Sequence, residues 1–422
     1  MMTTLSLSDQ AIAILRGNDR GGYTVPTEGL YPYQWNWDSA FAAYGFAEFD
    51  LPRAWQEIET LFSGQWQNGM VPHILFHQKD DGYFPGPDVW GTDKCSGNAV
   101  SSSGISQPPV AATFTRALFE KDIAFGKEKL EALFDKFVAW HGWFMRHRGE
   151  SGAICVTHPW ESGRDNAADW DAAMANVDAS NVGDYTRRDT SHVNPEMRPT
   201  KRDYDVYLAI LYFARDNGWD EQRILDDGLF RVADPTLTFT LLRANRDLKW
   251  MGEQLGRDVS EIDGWIVALE EGVKSLWNED IGCYDAKDLR TGLFAGNVTS
   301  AAFLCWYAGI DDKRMLPHLE RFLIASPHAV ASLDPTSPHY NPKRYWRGPV
   351  WVIVNTLIGI GLEDAGYRSE AERIRSDCAR LIEGGGFAEY FDPEDGTPAG
   401  GGVFTWTAAS WLAWVSKDPK EA

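Results

Sequence analysis

The chain has 422 residues, with 61 Asp+Glu against 40 Lys+Arg and a formal net charge of −21. Its 44% hydrophobic and 24% charged residues exclude disorder, and its length fits one large domain or two ordinary ones. The charge excludes the usual nucleic-acid binder, whose phosphate partner selects basic patches, and disfavours an anionic membrane surface. The 19 Trp are the unusual figure, because many of them stand beside Gly, Pro, Asn or Asp, as in a ligand-lined cleft rather than an apolar run.

Met1–Leu15 has no basic n-region and carries Asp9 inside its apolar stretch, so no signal peptide is expected. Tyr31-Pro-Tyr-Gln-Trp-Asn-Trp-Asp38 follows, with Trp35 and Trp37 around Asn36 and an Asp38 able to accept from two hydroxyls of a ligand. Apolar residues at helical spacing predict helices over Asp38–Phe49 and Leu51–Trp66. The connection Gly69–Pro109 is rich in Gly, Pro, Asp, Tyr and Trp, and a long connection of this kind is usually functional or disordered. His73 and His77 have i, i+4 spacing but no Glu between them and no third ligand, so no metal is expected.

Helices are predicted over Val110–Lys121 and Lys127–Arg146. A second long connection, His158–Lys201, opens with His158-Pro-Trp-Glu-Ser-Gly-Arg-Asp-Asn166. It sets Glu161 and Asp165 beside Trp160. A carboxyl desolvated against an indole has its pKa raised and can act as a general acid. The alternative is that Asp165 or Asn166 caps a helix. Further on, Arg187, Arg188, Arg198, Lys201 and Arg202 face only Asp189 and Glu196. A basic loop in so acidic a chain suits an anionic group, since Arg grips a carboxylate with two donors; the alternative is ion pairing within the acidic surface.

Helices are predicted next over Tyr204–Asn217, Thr236–Leu255, Val259–Trp277 and Ser300–Gly309. Asp234-Pro235 marks a start, and Gly218 and Gly256 mark ends. In Tyr345-Trp-Arg-Gly-Pro-Val-Trp351, Gly348-Pro349 is expected to open a helix over Gly348–Asp364, while Tyr345, Trp346 and Trp351 either line a pocket or pack as an aromatic corner. Ser369 opens Ser369–Ile382. The third long connection, Gly384–Gly402, holds Gly384-Gly-Gly-Phe-Ala-Glu-Tyr390, in which Glu389 between Phe387 and Tyr390 is either a general base or a solvated loop residue. A last helix is predicted over Phe404–Val415.

About a dozen helices without a visible repeat point to a closed ring of helical hairpins rather than an open solenoid. The most apolar run, Gly348–Leu362, is short and carries Asn355, so no membrane span is expected. Five scattered cysteines without a CxxC read as free thiols of a reducing cytoplasm. There is no dinucleotide or P-loop fingerprint and no GxSxG elbow. Two carboxyls among many indoles, with no metal motif and no cofactor, point to glycoside hydrolysis.

At these segments the chain resembles glycoside hydrolase family 63. Trp160-Glu-Ser-Gly-Arg-Asp165-Asn, Tyr345-Trp-Arg-Gly-Pro-Val-Trp351 and Gly386-Phe-Ala-Glu389-Tyr look like its signatures. The resemblance runs from Tyr31 to Trp406. It implies an all-α (α/α)6 barrel and hydrolysis with inversion, with Asp165 as general acid and Glu389 as general base. The compact length is similar to the bacterial mannosylglycerate and glucosylglycerate hydrolases, which implies a small α-glycoside with an anionic aglycone. By that resemblance Trp35, Trp37, Asp38, Gln107, Trp160, Trp346 and Trp351 hold the sugar, Tyr31 and Tyr83 stand on loops that close over the site, and Arg198 and Tyr204 meet the glycerate carboxylate. It also leaves room for a homo-oligomer. Residues 1–422 are then one catalytic domain with insertions at about 69–109 and 158–201. One departure is Gly400-Gly-Gly-Val-Phe-Thr-Trp406, which is richer in glycine than the resemblance implies and lacks a polar side chain expected near the aglycone. A neutral α-disaccharide is the alternative substrate. A sugar epimerase would need His pairs in the motif loops, and a catalytically silent sugar-binding protein would not need both carboxyls.

Overall fold

The computed structural model describes residues 5–149 and 151–417; the first four residues of the Met1–Leu15 stretch lie outside the described residues. The helices run as outer–inner pairs. They are α1 (Leu7–Asn18) with α2 (Asn36–Phe46), and α3 (Leu51–Ser63) with α4 (Ala111–Lys121). Next comes α5 (Ile123–His147), separated by the extra helix α6 (Lys201–Asp216) from its partner α7 (Pro235–Gln254). Then come α8 (Ser260–Lys274) with α9 (Leu304–Tyr307, prolonging a 3-10 turn over Ser300–Phe303) and α10 (Leu316–Ala325) with α11 (Val352–Asp364). The last pair is α12 (Arg368–Gly385) with α13 (Thr405–Ser410, continued by a π turn over Trp411–Val415). The inner helices α2, α4, α7, α9, α11 and α13 each pack on the next, and α13 packs back on α2, which closes the ring. This is the (α/α)6 barrel.

The most enclosed inner helices, α2 and α11, lose water on nearly every side and are apolar rather than amphipathic, whereas α4 and α7 end in exposed charged and polar residues. In α2 every residue but Tyr44 is buried, with Ala40, Ala42 and Ala43 in the wall. Starts follow local chemistry. Asp234 accepts from the Thr236 and Leu237 N–H groups ahead of Pro235, and Thr200 with Asp203 forms a capping box on α6. Gly218 and Gly256, at φ +68° and +67°, follow the ends of α6 and α7.

Several expectations are corrected. Helices α1 and α10 are not among the predicted ones. Gly348-Pro349 does not open a helix: the Gly348 N–H donates to Ser332 Oγ and Val350 bridges to Ala331 and Phe391, so α11 starts at Val352. Helix α12 starts at Arg368, not Ser369, and runs through Gly384 and Gly385 until Gly386, at φ +72°, ends it.

The strands among the described residues are two residues long, and all their pairings are antiparallel. They are β1 (Gln34–Trp35), β2 (Ile74–Leu75), β3 (Cys155–Val156), β4 (Val232–Ala233), β5 (Trp277–Asn278), β6 (Cys283–Tyr284), β7 (Lys287–Asp288), β8 (Tyr390–Phe391) and β9 (Pro398–Ala399). Two pairings shape the site. β1–β2, in register Trp35↔Ile74, pins the aromatic cluster to the 69–109 connection. β8–β9, in register Tyr390↔Ala399, turns the third connection into a hairpin. No helix among the described residues is long and apolar enough to cross a membrane.

Candidate active site

The connections that lead into the inner helices gather at one end of the barrel, around a cavity of about 110 Å³. Twelve of the expected site residues line it: Tyr31, Trp35, Trp37, Asp38, Tyr83, Gln107, Trp160, Asp165, Arg198, Tyr204, Tyr345 and Glu389. Trp346 and Trp351 do not. Their rings stack in parallel with centroids 3.9 Å apart, fully buried behind the wall. There Trp346 lies 6.3 Å from Trp37 and Trp351 packs edge-on to Tyr345 at 5.0 Å, so they brace two lining residues rather than facing the cavity.

The two carboxyls near Trp160 separate cleanly. Glu161 is buried and accepts from Arg148 Nη2 at 2.9 Å, the Thr157 N–H at 2.7 Å and the Thr157 hydroxyl at 3.0 Å, so it is a structural anchor. Asp165 caps no helix. It sits on a tight turn behind Gly163, at φ +69°, where a Cβ would come within 2.6 Å of the Trp37 ring. Tyr207 donates to the Asp165 carbonyl at 2.8 Å, and Asn166 Oδ1 accepts from the Trp346 N–H at 2.9 Å. The neighbouring Arg164 points away, to Asp169 at 2.6 Å and Asp234 at 3.0 Å. Desolvation in the cavity pushes the Asp165 carboxyl up to about 7; Arg198 opposes this, while Glu389 and Asp189 add to it.

Glu389 has the opposite surroundings. Its Oε1 accepts from Tyr31 at 3.0 Å, Tyr345 at 3.3 Å and Arg198 at 3.3 Å, and its Oε2 from the Gly401 N–H at 2.9 Å. The glycine-rich stretch is therefore a cradle. At Gly400, with φ +75°, a Cβ would lie 2.2 Å from Glu389 Oε2. The departure from the expected pattern serves the carboxylate.

Asp38 lies in the first turn of α2, and burial pushes its carboxyl well up, with Glu389 adding to the effect. Gln107 Oε1 accepts from the Trp37 N–H at 3.2 Å, which fixes the amide at the cavity wall. The lid is the second long connection. Arg188 reaches Asp80, the Gly82 carbonyl at 3.1 Å and the Gly29 carbonyl at 3.3 Å, joining three connections. Tyr390 donates to the Met197 carbonyl at 3.1 Å and seals a further edge.

The structure also brings in residues that the sequence does not single out as lining a site: His73, Trp90, Phe404 and Trp406 line the same cavity, together with Arg188 and Asp189 of the basic loop. On sequence His73 reads only as a candidate metal ligand. Its Nδ1 lies 2.6 Å from Ser103 Oγ, and burial holds its pKa well down, with His158 contributing. Among the described residues no group of three or more His, Cys, Asp or Glu could hold a metal ion.

A ring of six helical hairpins, with a proton-holding carboxyl and a cradled carboxylate in an indole-walled cavity, defines a glycoside hydrolase on an (α/α)6 barrel. The family model described as "Mannosylglycerate hydrolase MGH1-like glycoside hydrolase domain" matches residues 31–407, and the chain belongs to this family. It is similar to the crystal structure of a family 63 mannosylglycerate hydrolase from Thermus thermophilus in complex with Tris and D-glycerate. The TM-score is 0.93 and the identity 43%, over 97% of this chain and 100% of that one. It is 44% identical over 414 residues to the mannosylglycerate hydrolase MGH2 of Selaginella moellendorffii, covering 96% of this chain and 84% of the relative. It is 34% identical to the glucosylglycerate hydrolase of Mycolicibacterium hassiacum, over 98% of each.

Proposed function

We propose that this chain is one catalytic domain that hydrolyses 2-O-mannosyl- or 2-O-glucosylglycerate with inversion. The observation that carries this is the opposite environment of two carboxyls in one cavity: desolvation keeps the proton on Asp165 to about pH 7, and donors surround Glu389. Asp165 protonates the glycosidic oxygen as the bond to the anomeric carbon breaks. Glu389 takes a proton from water attacking the opposite face of the ring. Asp38 and Gln107 accept and donate to sugar hydroxyls between Trp37 and Trp160, and Arg198 with Tyr204 meets the glycerate carboxylate. The lid excludes bulk water during the reaction. Five free cysteines support a reducing, cytoplasmic setting.

A neutral α-glycoside is the second reading. It is favoured by one observation: Arg198 and Arg188 already face Asp189, Glu389 and Asp80. Proton NMR of a reaction containing both glycosylglycerates and neutral α-disaccharides decides between them. The first reading expects the β-anomer first, from a glycerate compound. Release from neutral disaccharides alone overturns the substrate, and release of the α-anomer first overturns inversion.

A further inference from the structure

Asp189 lines the cavity yet has no part in the reaction above. It stands at the start of a one-turn helix in the lid. Its Oδ1 and Oδ2 accept from Arg187 Nε at 3.0 Å and Nη2 at 2.6 Å, and Oδ2 also accepts from Arg198 Nε at 3.1 Å. From that anchor Arg198 donates through Nη1 to Glu389 at 3.3 Å and through Nη2 to the Tyr31 hydroxyl at 2.6 Å. Arg187 is itself held by the Pro199 carbonyl at 2.8 Å and by the Tyr204 ring, 4.2 Å away. A chain of alternating charge, Arg187–Asp189–Arg198–Glu389, thus runs from the lid to the cradled carboxylate. Its side chains are only 8%, 14%, 4% and 0% exposed, so water screens it little.

A guanidinium has five N–H donors in a fixed fork. Held at Nε, Arg198 spends one edge on Asp189 and turns the Nη pair towards the cavity. Without that anchor the carboxylate partner left to it among the described residues is Glu389, whose two oxygens Nη1 already approaches at 3.3 and 3.5 Å. A two-pronged grip on Glu389 would occupy the lone pairs that must accept the proton of water.

We propose that Asp189 is a positioning residue that holds Arg198 by Nε, so that its Nη edge supports Glu389 and the aglycone carboxylate without capturing the base. The aglycone part rests on the proposed substrate; the support of Glu389 does not. The groups around Asp165 that bear on a pH test are Arg198 and Asp189 on the lid, Glu389 and Tyr345 on two connections, Tyr204 and Tyr207 on α6, and Asp38 and His73 across the cavity. Asp189 helps hold the Asp165 proton, so removing its charge lets that proton leave at lower pH.

The experiment compares wild type, Asp189→Asn and Asp189→Glu on mannosylglycerate and on methyl α-mannoside as the neutral glycoside, with the pH profile of kcat/KM and Tm. Asp189→Asn is expected to lower kcat at least tenfold on both substrates and to raise KM only for the anionic one. It is also expected to move the alkaline limb of the profile to lower pH, with a lowered Tm because Arg187 and Arg198 lose the carboxylate they share, and Asp189→Glu returns the limb. An unmoved limb overturns the proposal, whether the rates are unchanged or fall equally with a lowered Tm as for a purely structural residue. If wild type hydrolyses the neutral glycoside alone, the substrate reading fails, and the limb measured on that glycoside still decides the role of Asp189.

Discussion

Asp165 and Glu389 line one cavity, and their surroundings differ in the way the proposed reaction needs. Desolvation dominates at Asp165, whereas Glu389 is the target of Tyr31, Tyr345, Arg198 and the Gly401 N–H. Asp165→Asn should lower kcat by about 10²–10⁴-fold in a steady-state assay, the usual contribution of a general acid. In wild type the alkaline limb of kcat/KM should fall near pH 7, where Asp165 loses its proton. Stability should fall over the same range. The folded pKa of about 7 stands above the ordinary 3.8, so the contribution of Asp165 is fully present below 3.8 and is lost as pH rises through 7. Asp165→Asn carries no such charge, so its Tm should exceed that of wild type at pH 8, with the gain fading towards pH 4. A Tm difference independent of pH would remove the desolvation argument.

At the scale of elements, helix identity is largely legible because the amphipathic period survives wherever one face meets water. Two cases escape. Helix α1 is weighed on sequence only as a targeting segment and rejected as one, and α10 is a ten-residue helix whose stripe of Leu316, Leu319, Phe322 and Leu323 goes unread. Interior helices hide a further property. A glycine within a helix is unfavourable by about 1 kcal/mol relative to Ala, so Gly361→Ala in α11 reads as stabilising from sequence. The structure reverses that sign. A Cβ there would come 2.1 Å from the Tyr307 backbone nitrogen on α9, and two backbones cannot give way as a side chain does. Gly361→Ala should lose about 1–3 kcal/mol in denaturant unfolding, as overpacked sites do.

At the scale of the whole molecule, the ring must be closed by joining its first and last helices. Asn18 at the end of α1 donates to Thr405 Oγ1 at 2.9 Å, and Thr405 donates through its hydroxyl to the Val25 carbonyl at 2.8 Å and through its N–H to the Pro26 carbonyl at 2.9 Å. This buried seam lies beside Phe404, which packs edge-on to Tyr31 at 5.8 Å, so closure and the cavity wall share residues. Asn18→Ala should cost about 1–3 kcal/mol by leaving buried acceptors unpaired, measured as a lowered Tm. An unchanged Tm would show that packing of α13 on α2 closes the ring without it.

The sequence by itself determined the helical class, the two carboxyls and the aromatic cluster, because periodicity and short motifs are local and need no partner to be read. Tertiary structure decided which way each side chain faces. It turned Glu161 inwards to Arg148, set Trp346 and Trp351 behind the wall, and folded Gly400 and Gly401 around Glu389. It also gave Arg198 a partner 191 positions away. The physical reason is the same in each case. Burial and charge pairing depend on how the chain turns and packs in three dimensions, across 13 positions for Arg148–Glu161 and 191 for Arg198–Glu389, and linear spacing does not show which groups meet.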